Sequence, residues 1–170
     1  MVILGIDPGY AIVGYGILLS ENNRIRVLDF GAVTTPAGME FPQRLKVIFE
    51  DLGFLFQKYH PDVMSIEKLF FNTNKKTAVD VAQARGVIML AAKMNGAEVK
   101  EYTPLQVKQS VVGYGRAEKK QVQEMTRLLL NLNGIPKPDD TADALALTVC
   151  HGHSAGSSYG KLNAILKGKK

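Results

Sequence analysis

Short apolar runs dominate the first third of this chain. The run MVILGID is closed by Pro8 and Gly9, which predicts a strand buried on both faces that ends at Asp7. Two longer runs, YAIVGYGILL and RIRVLDFGAVTT, follow and are separated by SENN. We therefore expect a three-stranded antiparallel meander. Gly14 and Gly16 interrupt its second strand, where glycine indicates a bulge or a close backbone approach.

Helical spacing of apolar residues begins after the meander and alternates with two short strands. VMSIE is a strand with Glu67 at its carboxyl end, and AEVKEY is the last strand. The predicted helices span residues 41–59, 76–95, 104–111, 117–132 and 139–153. This order predicts an α/β fold, a mixed five-stranded sheet of three antiparallel strands followed by parallel strands, with helices on both faces.

The composition indicates one domain and favours a polyanionic partner. The chain has 170 residues, enough for one core, and we expect a domain at 1–153 followed by a flexible, basic tail at 154–170. Residues 1–99 carry 10 Lys and Arg against 10 Asp and Glu, whereas residues 100–170 carry 11 against 6. Cys150 is the only cysteine, which excludes an intrachain disulfide. No apolar stretch reaches the roughly 18 residues of a membrane span, so we expect a cytoplasmic protein without a membrane partner.

Four carboxylates carry the candidate chemistry. Asp7 and Glu67 end two strands, and in sheets of this kind functional groups collect at the carboxyl ends of strands. Asp140 and Asp143 are three residues apart and share a face of the last helix. An N-terminal cap would explain Asp140 alone, but Asp143 lies further in, between two alanines, where an unpaired carboxylate is costly. We call Asp7, Glu67, Asp140 and Asp143 the acidic set.

If the last helix crosses the sheet near these strand ends, the acidic set converges and requires a counter-charge. Oxygen-only ligands favour Mg²⁺ or Mn²⁺ over zinc, and a pair of such ions suits a phosphoryl displacement. Basic residues lie in the loop GYGRAEKK and just before it. They form what we call the basic set, which is Lys108, Arg116, Lys119 and Lys120. An acidic metal site in a basic protein is typical of a nuclease, although a charge run is more often a solvated helix face.

Five motifs resemble one family, in the same order, over residues 3–153. They are LGIDPG, IEKLFFNTN, AQARGV, GYGRAEKKQV and DDTADALALTVCH. The chain thereby resembles the RuvC family of bacterial Holliday junction resolvases. The resemblance implies a ribonuclease-H-like fold and a homodimer that resolves four-way DNA junctions in recombination and repair. It also implies paired, symmetric nicks with 5′-phosphate and 3′-hydroxyl ends, and two Mg²⁺ per subunit, for which Mn²⁺ can substitute.

The resemblance also assigns roles to residues. It implies that the acidic set binds the metal and is catalytic, and Asp139 falls outside the pattern. Phe70 is similar to an aromatic residue that stacks on bases opened at the crossover, although Phe71 is not separated from it by pattern. Lys108 and Lys119 fall where the family has basic residues near the scissile phosphate. The helix at 76–95 corresponds to the dimer helix, and a branch-migration complex of a junction-binding protein and a hexameric motor is the implied partner.

Two other functions are compatible with parts of the sequence. GIDPGYAIVGYG also opens the actin-like ATPase fold, but such proteins close two related domains on ATP and this chain has one copy of the pattern. A junction-binding module without catalysis needs only the basic set, and it leaves Asp143 unexplained.

Overall fold

The computed structural model describes residues 1–21, 24–69 and 75–167. The strands are β1 (Val2–Asp7), β2 (Ile12–Glu21), β3 (Arg24–Thr34), β4 (Val63–Glu67) and β5 (Glu98–Tyr102). The helices are α1 (Phe41–Tyr59), α2 (Lys75–Met94), α3 (Pro104–Val112), α4 (Lys119–Leu129) and α5 (Asp139–Lys167). Among these residues, no helix has both the length and the apolar character needed to cross a bilayer.

The five strands form one sheet in the order β3-β2-β1-β4-β5. β1, β2 and β3 pair antiparallel, whereas β4 pairs parallel with both β1 and β5. The predicted mixed sheet is therefore confirmed. The crossover through α1 brings β4 beside β1, so the carboxyl ends of these two strands lie at the same edge of the sheet.

Helices cover both faces of the sheet, as predicted. On one face, Ile48 and Phe56 of α1 and Ile88 of α2 pack in one buried cluster with Leu4 and Met64 of the strands. On the other, α3, α4 and α5 share a second cluster, which includes Leu18 of β2 and Leu145 of α5. The alternation of side chains along each strand gives each face its own apolar layer.

Two helix ends differ from the sequence prediction. α4 begins after Glu118, whose side chain forms a capping box with Gln121, and it ends at Leu129 rather than at residue 132. α5 continues to Lys167 rather than ending near residue 153. Pro138 is the last proline of the chain, so no residue with a fixed φ interrupts the helix after it begins.

Candidate active site

The parallel pairing of β1 and β4 places two members of the acidic set side by side. Ile6 is opposite Ile66 in the register, so Asp7 and Glu67 leave the sheet at the same edge. Both isoleucines are completely buried. Each carboxylate therefore directly follows a buried strand residue, and the packing of that residue fixes the main chain of Asp7 and of Glu67.

Glycines in the sheet let α5 lie against it and bring in the other two acids. A Cβ atom at Gly14 would lie 2.0 Å from the carbonyl oxygen of Asp140, and one at Gly5 would lie 2.1 Å from that of Ala144. Gly14 is the residue opposite Asp7 on the neighbouring strand. The predicted close approach at Gly14 is thus confirmed, and it places the first turns of α5 beside the strand ends.

The pKa values reflect the convergence of the four carboxylates. Burial raises the pKa of Asp7 to about 8, and the charges of Asp143, Glu67 and Asp140, in that order, add to the rise. Burial and then the charge of Asp143 also raise the pKa of Glu67. Without a bound cation, Asp7 therefore holds its proton at neutral pH, because ionisation would place another negative charge in a buried acidic site.

A cavity of about 200 Å³ opens at this edge of the sheet. The lining residues are Asp7, Glu67, Pro104, Val107, Lys108, Lys119, Val122, Asp143, Ala146 and Leu147. Three members of the acidic set and two of the basic set therefore share one cavity, and its wall is otherwise apolar. Asp140 is outside this lining and acts on the site through its charge on Asp7.

Lys119 already supplies one positive charge at the site. Its Nζ atom lies 2.7 Å from Oδ2 of Asp143. Partial burial lowers the pKa of Lys119, but the hydrogen bond and the charge of Asp143 outweigh it and raise the pKa above its ordinary value. Asp143, for which the sequence indicated no partner, thus has an ammonium partner in this structure.

The donor set fits a hard divalent cation, although the carboxylates would have to move closer together to share one. Among the described residues, no group of three carboxylate, imidazole or thiolate side chains is close enough to hold a metal ion as it stands. Asp7 supports this fit, because it is a buried acid beside three other carboxylates. A bound cation would allow Asp7 to ionise at neutral pH. Carboxylate oxygens are the ligands that Mg²⁺ and Mn²⁺ prefer.

The structure separates the basic set into two pairs. Lys108 of α3 and Lys119 of α4 line the cavity. Arg116 and Lys120, which are near Lys119 in the sequence, are exposed and do not line the cavity.

Phe70 and Phe71 lie outside the described residues, so the contact of Phe70 with DNA stays a prediction. Sequence reasoning missed Arg85 of α2, whose Nε donates to the main-chain carbonyl of Glu67 at 3.3 Å. It also missed the apolar wall of the cavity. The one signal for Arg85 in the sequence is its charge within a helix whose neighbouring residues are mostly alanine and valine.

Comparisons with known proteins agree with this geometry. The family model described as "Crossover junction endodeoxyribonuclease RuvC" matches residues 3–151. A relative with that name from Alkaliphilus oremlandii (strain OhILAs) is 59% identical over 154 residues, which cover 91% of this chain and 94% of the relative. The solved Thermus thermophilus RuvC structure matches with a TM-score of 0.86 and 32% identity over 92% of this chain and 96% of that one. The structure of T. thermophilus RuvC in complex with Holliday junction substrate matches with a TM-score of 0.85 and 30% identity, over 93% of this chain and 97% of that one.

Proposed function

The chain belongs to the RuvC family of crossover junction endodeoxyribonucleases, and on that basis we propose that its acidic set is the catalytic centre for the paired nicking of four-way DNA junctions. It is a nuclease that hydrolyses DNA phosphodiester bonds at such junctions, in recombination and repair. The observation that supports the site most strongly is Asp7, a buried carboxyl with a pKa of about 8 at the meeting point of the other three acids. Cleavage there leaves 5′-phosphate and 3′-hydroxyl ends.

Nucleases of this family depend on a divalent metal, and we propose that the acidic set holds two Mg²⁺ ions, for which Mn²⁺ substitutes. When bound, these ions supply the positive charge that an in-line displacement at phosphorus requires. Asp7 would hold an ion as its ionised carboxylate. The ammonium group of Lys119, which lines the same cavity, would supply positive charge to an oxygen of the scissile phosphate. The apolar side chains of Val107, Val122 and Leu147 limit the access of bulk water to the cavity.

The residues of the basic set have two different roles, which depend on whether they line the cavity. Lys108 and Lys119 line the cavity and contact the phosphate that is cut. Arg116 and Lys120 lie outside it and bind flanking phosphates, which contributes affinity without sequence preference. Phe70 stacks on a base that is unpaired at the crossover, a role that rests on the family resemblance alone.

Two neighbouring aspartates at the start of α5 provide a matched test of the metal site. Asp140→Asn is expected to lower the rate of junction cleavage by about a hundredfold or more, since a metal ligand contributes several kcal/mol to the transition state. Asp139→Asn removes an aspartate whose side chain is 47% exposed and paired with Lys137 at 2.6 Å, and it should cleave like the wild type. Both variants should bind the junction. Equal activity of the two variants would show that Asp140 is only a helix cap.

We propose that the protein is a homodimer through α2. Val79, Leu90 and Met94 of this helix are 57%, 55% and 67% exposed. Gly86 lies on the same face with open space beside it. We call Val79, Gly86, Leu90 and Met94 the apolar stripe. Two copies paired through the stripe about a two-fold axis would present two active sites to strands of like polarity.

Sedimentation velocity tests the dimer. Leu90→Glu should give monomers that no longer make paired nicks, because each buried copy of the stripe would then carry a carboxylate. Leu129→Glu is the control, since Leu129 is 46% exposed on α4, away from the stripe, and its replacement should leave the dimer intact. A wild-type protein that sediments as a monomer and nicks single strands without coordination would contradict the proposal.

Three further proposals come from the family resemblance, for the partner, and from the composition of the sequence, for the location and the domain bounds. The partner on DNA is a branch-migration complex of a junction-binding protein and a hexameric motor, and co-sedimentation on junction DNA would detect it. The protein is cytoplasmic. Residues 1–153 are the nuclease domain and residues 154–170 a basic extension, whose main chain continues α5 to Lys167, so a chain that ends at residue 153 should still cleave junctions.

A further inference from the structure

Arg85 connects α2 to both parallel strands that border the active site. Its Nε donates to the carbonyl oxygen of Glu67, the last residue of β4, at 3.3 Å. Its Nη2 is paired with Oε1 of Glu101 on β5. Nη1 lies 3.2 Å from the sulfur of Met89, one turn further along α2. The side chain of Arg85 is only 13% exposed, whereas that of Glu101 is 42% exposed. The contacts with Glu67 and Met89 are therefore the partly buried ones.

The contact with Glu67 falls where β4 leaves the sheet. The following residue, Lys68, donates its N–H to the carbonyl oxygen of Tyr102 at 2.8 Å, which is the last backbone bond described there between β4 and β5. Beyond it the chain continues toward residues 70–74 and α2. The guanidinium group of Arg85 therefore holds the main chain of a proposed metal ligand at the point where sheet pairing ends.

Next to Arg85, α2 also packs on the core through apolar side chains. Ala84, Ile88 and Ala91 are completely buried and pack in the first core cluster. Apolar contacts are non-directional, whereas the planar guanidinium fork fixes both distance and angle to its acceptors. Charge-assisted hydrogen bonds are also the stronger ones. Arg85 can consequently set the orientation of Glu67 relative to α2.

We propose that Arg85 is a positioning residue for junction cleavage, which holds the main chain of Glu67 so that its carboxylate meets the rest of the acidic set. Because α2 also carries the apolar stripe, the same residue joins the proposed dimer helix to the active site. The inference rests on the proposed function, in which Glu67 is a metal ligand.

Three variants separate positioning from stability. Arg85→Ala removes every contact of the side chain. Arg85→Lys keeps a positive charge for Glu101, but its single ammonium cannot reproduce the fork that also reaches the carbonyl oxygen of Glu67. Glu101→Gln removes the charge pair and leaves the bond to Glu67 in place. Each variant is compared with the wild type in thermal unfolding, in Mn²⁺ binding without DNA by calorimetry, and in single-turnover cleavage of a four-way junction.

Arg85→Lys is expected to recover the melting temperature that Arg85→Ala loses, but not the metal affinity. Mn²⁺ affinity and the cleavage rate should each stay about tenfold below the wild type, the size of effect seen when a residue that supports a metal ligand is replaced. Amide hydrogen exchange at Lys68 should be faster in both Arg85 variants. Glu101→Gln should remain close to the wild type in metal affinity and rate, and all three should bind the junction.

If Arg85→Lys bound Mn²⁺ and cleaved the junction as well as the wild type does, the positioning role would be overturned. Losses in Glu101→Gln as large as those in Arg85→Lys would overturn it too, because the ion pair rather than the bond to Glu67 would then carry the effect. Glu67→Gln keeps this outcome separate from the fate of the proposed function. If Glu67→Gln is inactive, the catalytic centre stands whatever Arg85 does; if it cleaves like the wild type, the proposed function itself fails.

Discussion

Replacing Asp7 with asparagine is expected to stabilise the metal-free protein. Burial and the three neighbouring carboxylates raise the pKa of Asp7 to about 8 in the folded chain, whereas an unfolded chain ionises it near a pKa of about 3.9. As pH rises between these values, the unfolded state releases this proton and the folded state keeps it. The free energy of unfolding therefore falls across this range and levels off above it. Asparagine has no such proton, so the variant does not undergo this loss.

The size of the effect follows from the pKa difference. Each pKa unit corresponds to about 1.4 kcal/mol, so at pH 7 the wild type loses at most about 4 kcal/mol through this carboxyl. The site is coupled to three other acids, which relax together, and we expect a net difference of about 1 to 3 kcal/mol. For a chain of this length that corresponds to roughly 3 to 9 °C in melting temperature.

Thermal unfolding followed by circular dichroism in the presence of a chelator measures this difference. The gap between Asp7→Asn and the wild type should be small near pH 4 and should grow up to pH 8, while Asp51→Asn, at an exposed position on α1, should show no such trend. Added Mg²⁺ should reverse the order, since a cation that binds the folded wild type stabilises it by mass action. A variant that melts below the wild type at pH 7 in chelator, or a gap that is constant with pH, would refute the reasoning.

Two further predictions concern the packing of α5 and the lysines of α4. Gly14→Ala should destabilise the protein by about 3 kcal/mol or more in denaturant titrations, because the new methyl group would overlap the carbonyl of Asp140. Gly53→Ala is the control: Gly53 has open space around it in α1, and its replacement should stabilise the protein by up to about 1 kcal/mol. Lys119→Ala should slow single-turnover cleavage at saturating junction about tenfold. Lys120→Ala should act mainly on affinity and reduce the salt slope of junction binding by about one. Equal effects of the two lysine substitutions on the rate would contradict the separate tasks.

The positions of the acids could be predicted from the sequence because local features determine them. Asp7 and Glu67 each follow a short apolar run that is typical of a buried strand, and Gly14 indicates that another backbone comes close. The family resemblance then supplied the ribonuclease-H-like fold and the four-way DNA junction as the substrate. The structure adds that this other backbone is α5.

Contacts between distant segments could not be predicted from local sequence patterns. The ion pair of Lys119 with Asp143 and the bond of Arg85 to Glu67 join residues 24 and 18 positions apart in the sequence, on elements whose relative placement depends on the whole core. Pattern places a lysine on an exposed helix face, and only the packing of α4 against α5 shows that this face borders the cavity. The extension of α5 beyond residue 153 was missed for another reason, since glycine and serine lower helix propensity without excluding a helix.

Cleavage of a synthetic, mobile four-way DNA junction by the wild type and by Asp7→Asn, with Mg²⁺ and with chelator, tests the central claim most directly. Linear duplex of the same sequence is the control substrate. The catalytic role of the acidic set predicts paired, symmetric nicks in the junction from the wild type with Mg²⁺ only, and none from the variant, which should still bind. Cleavage by Asp7→Asn at the wild-type rate, or wild-type protein that binds the junction without cutting it under any metal condition, would contradict the claim.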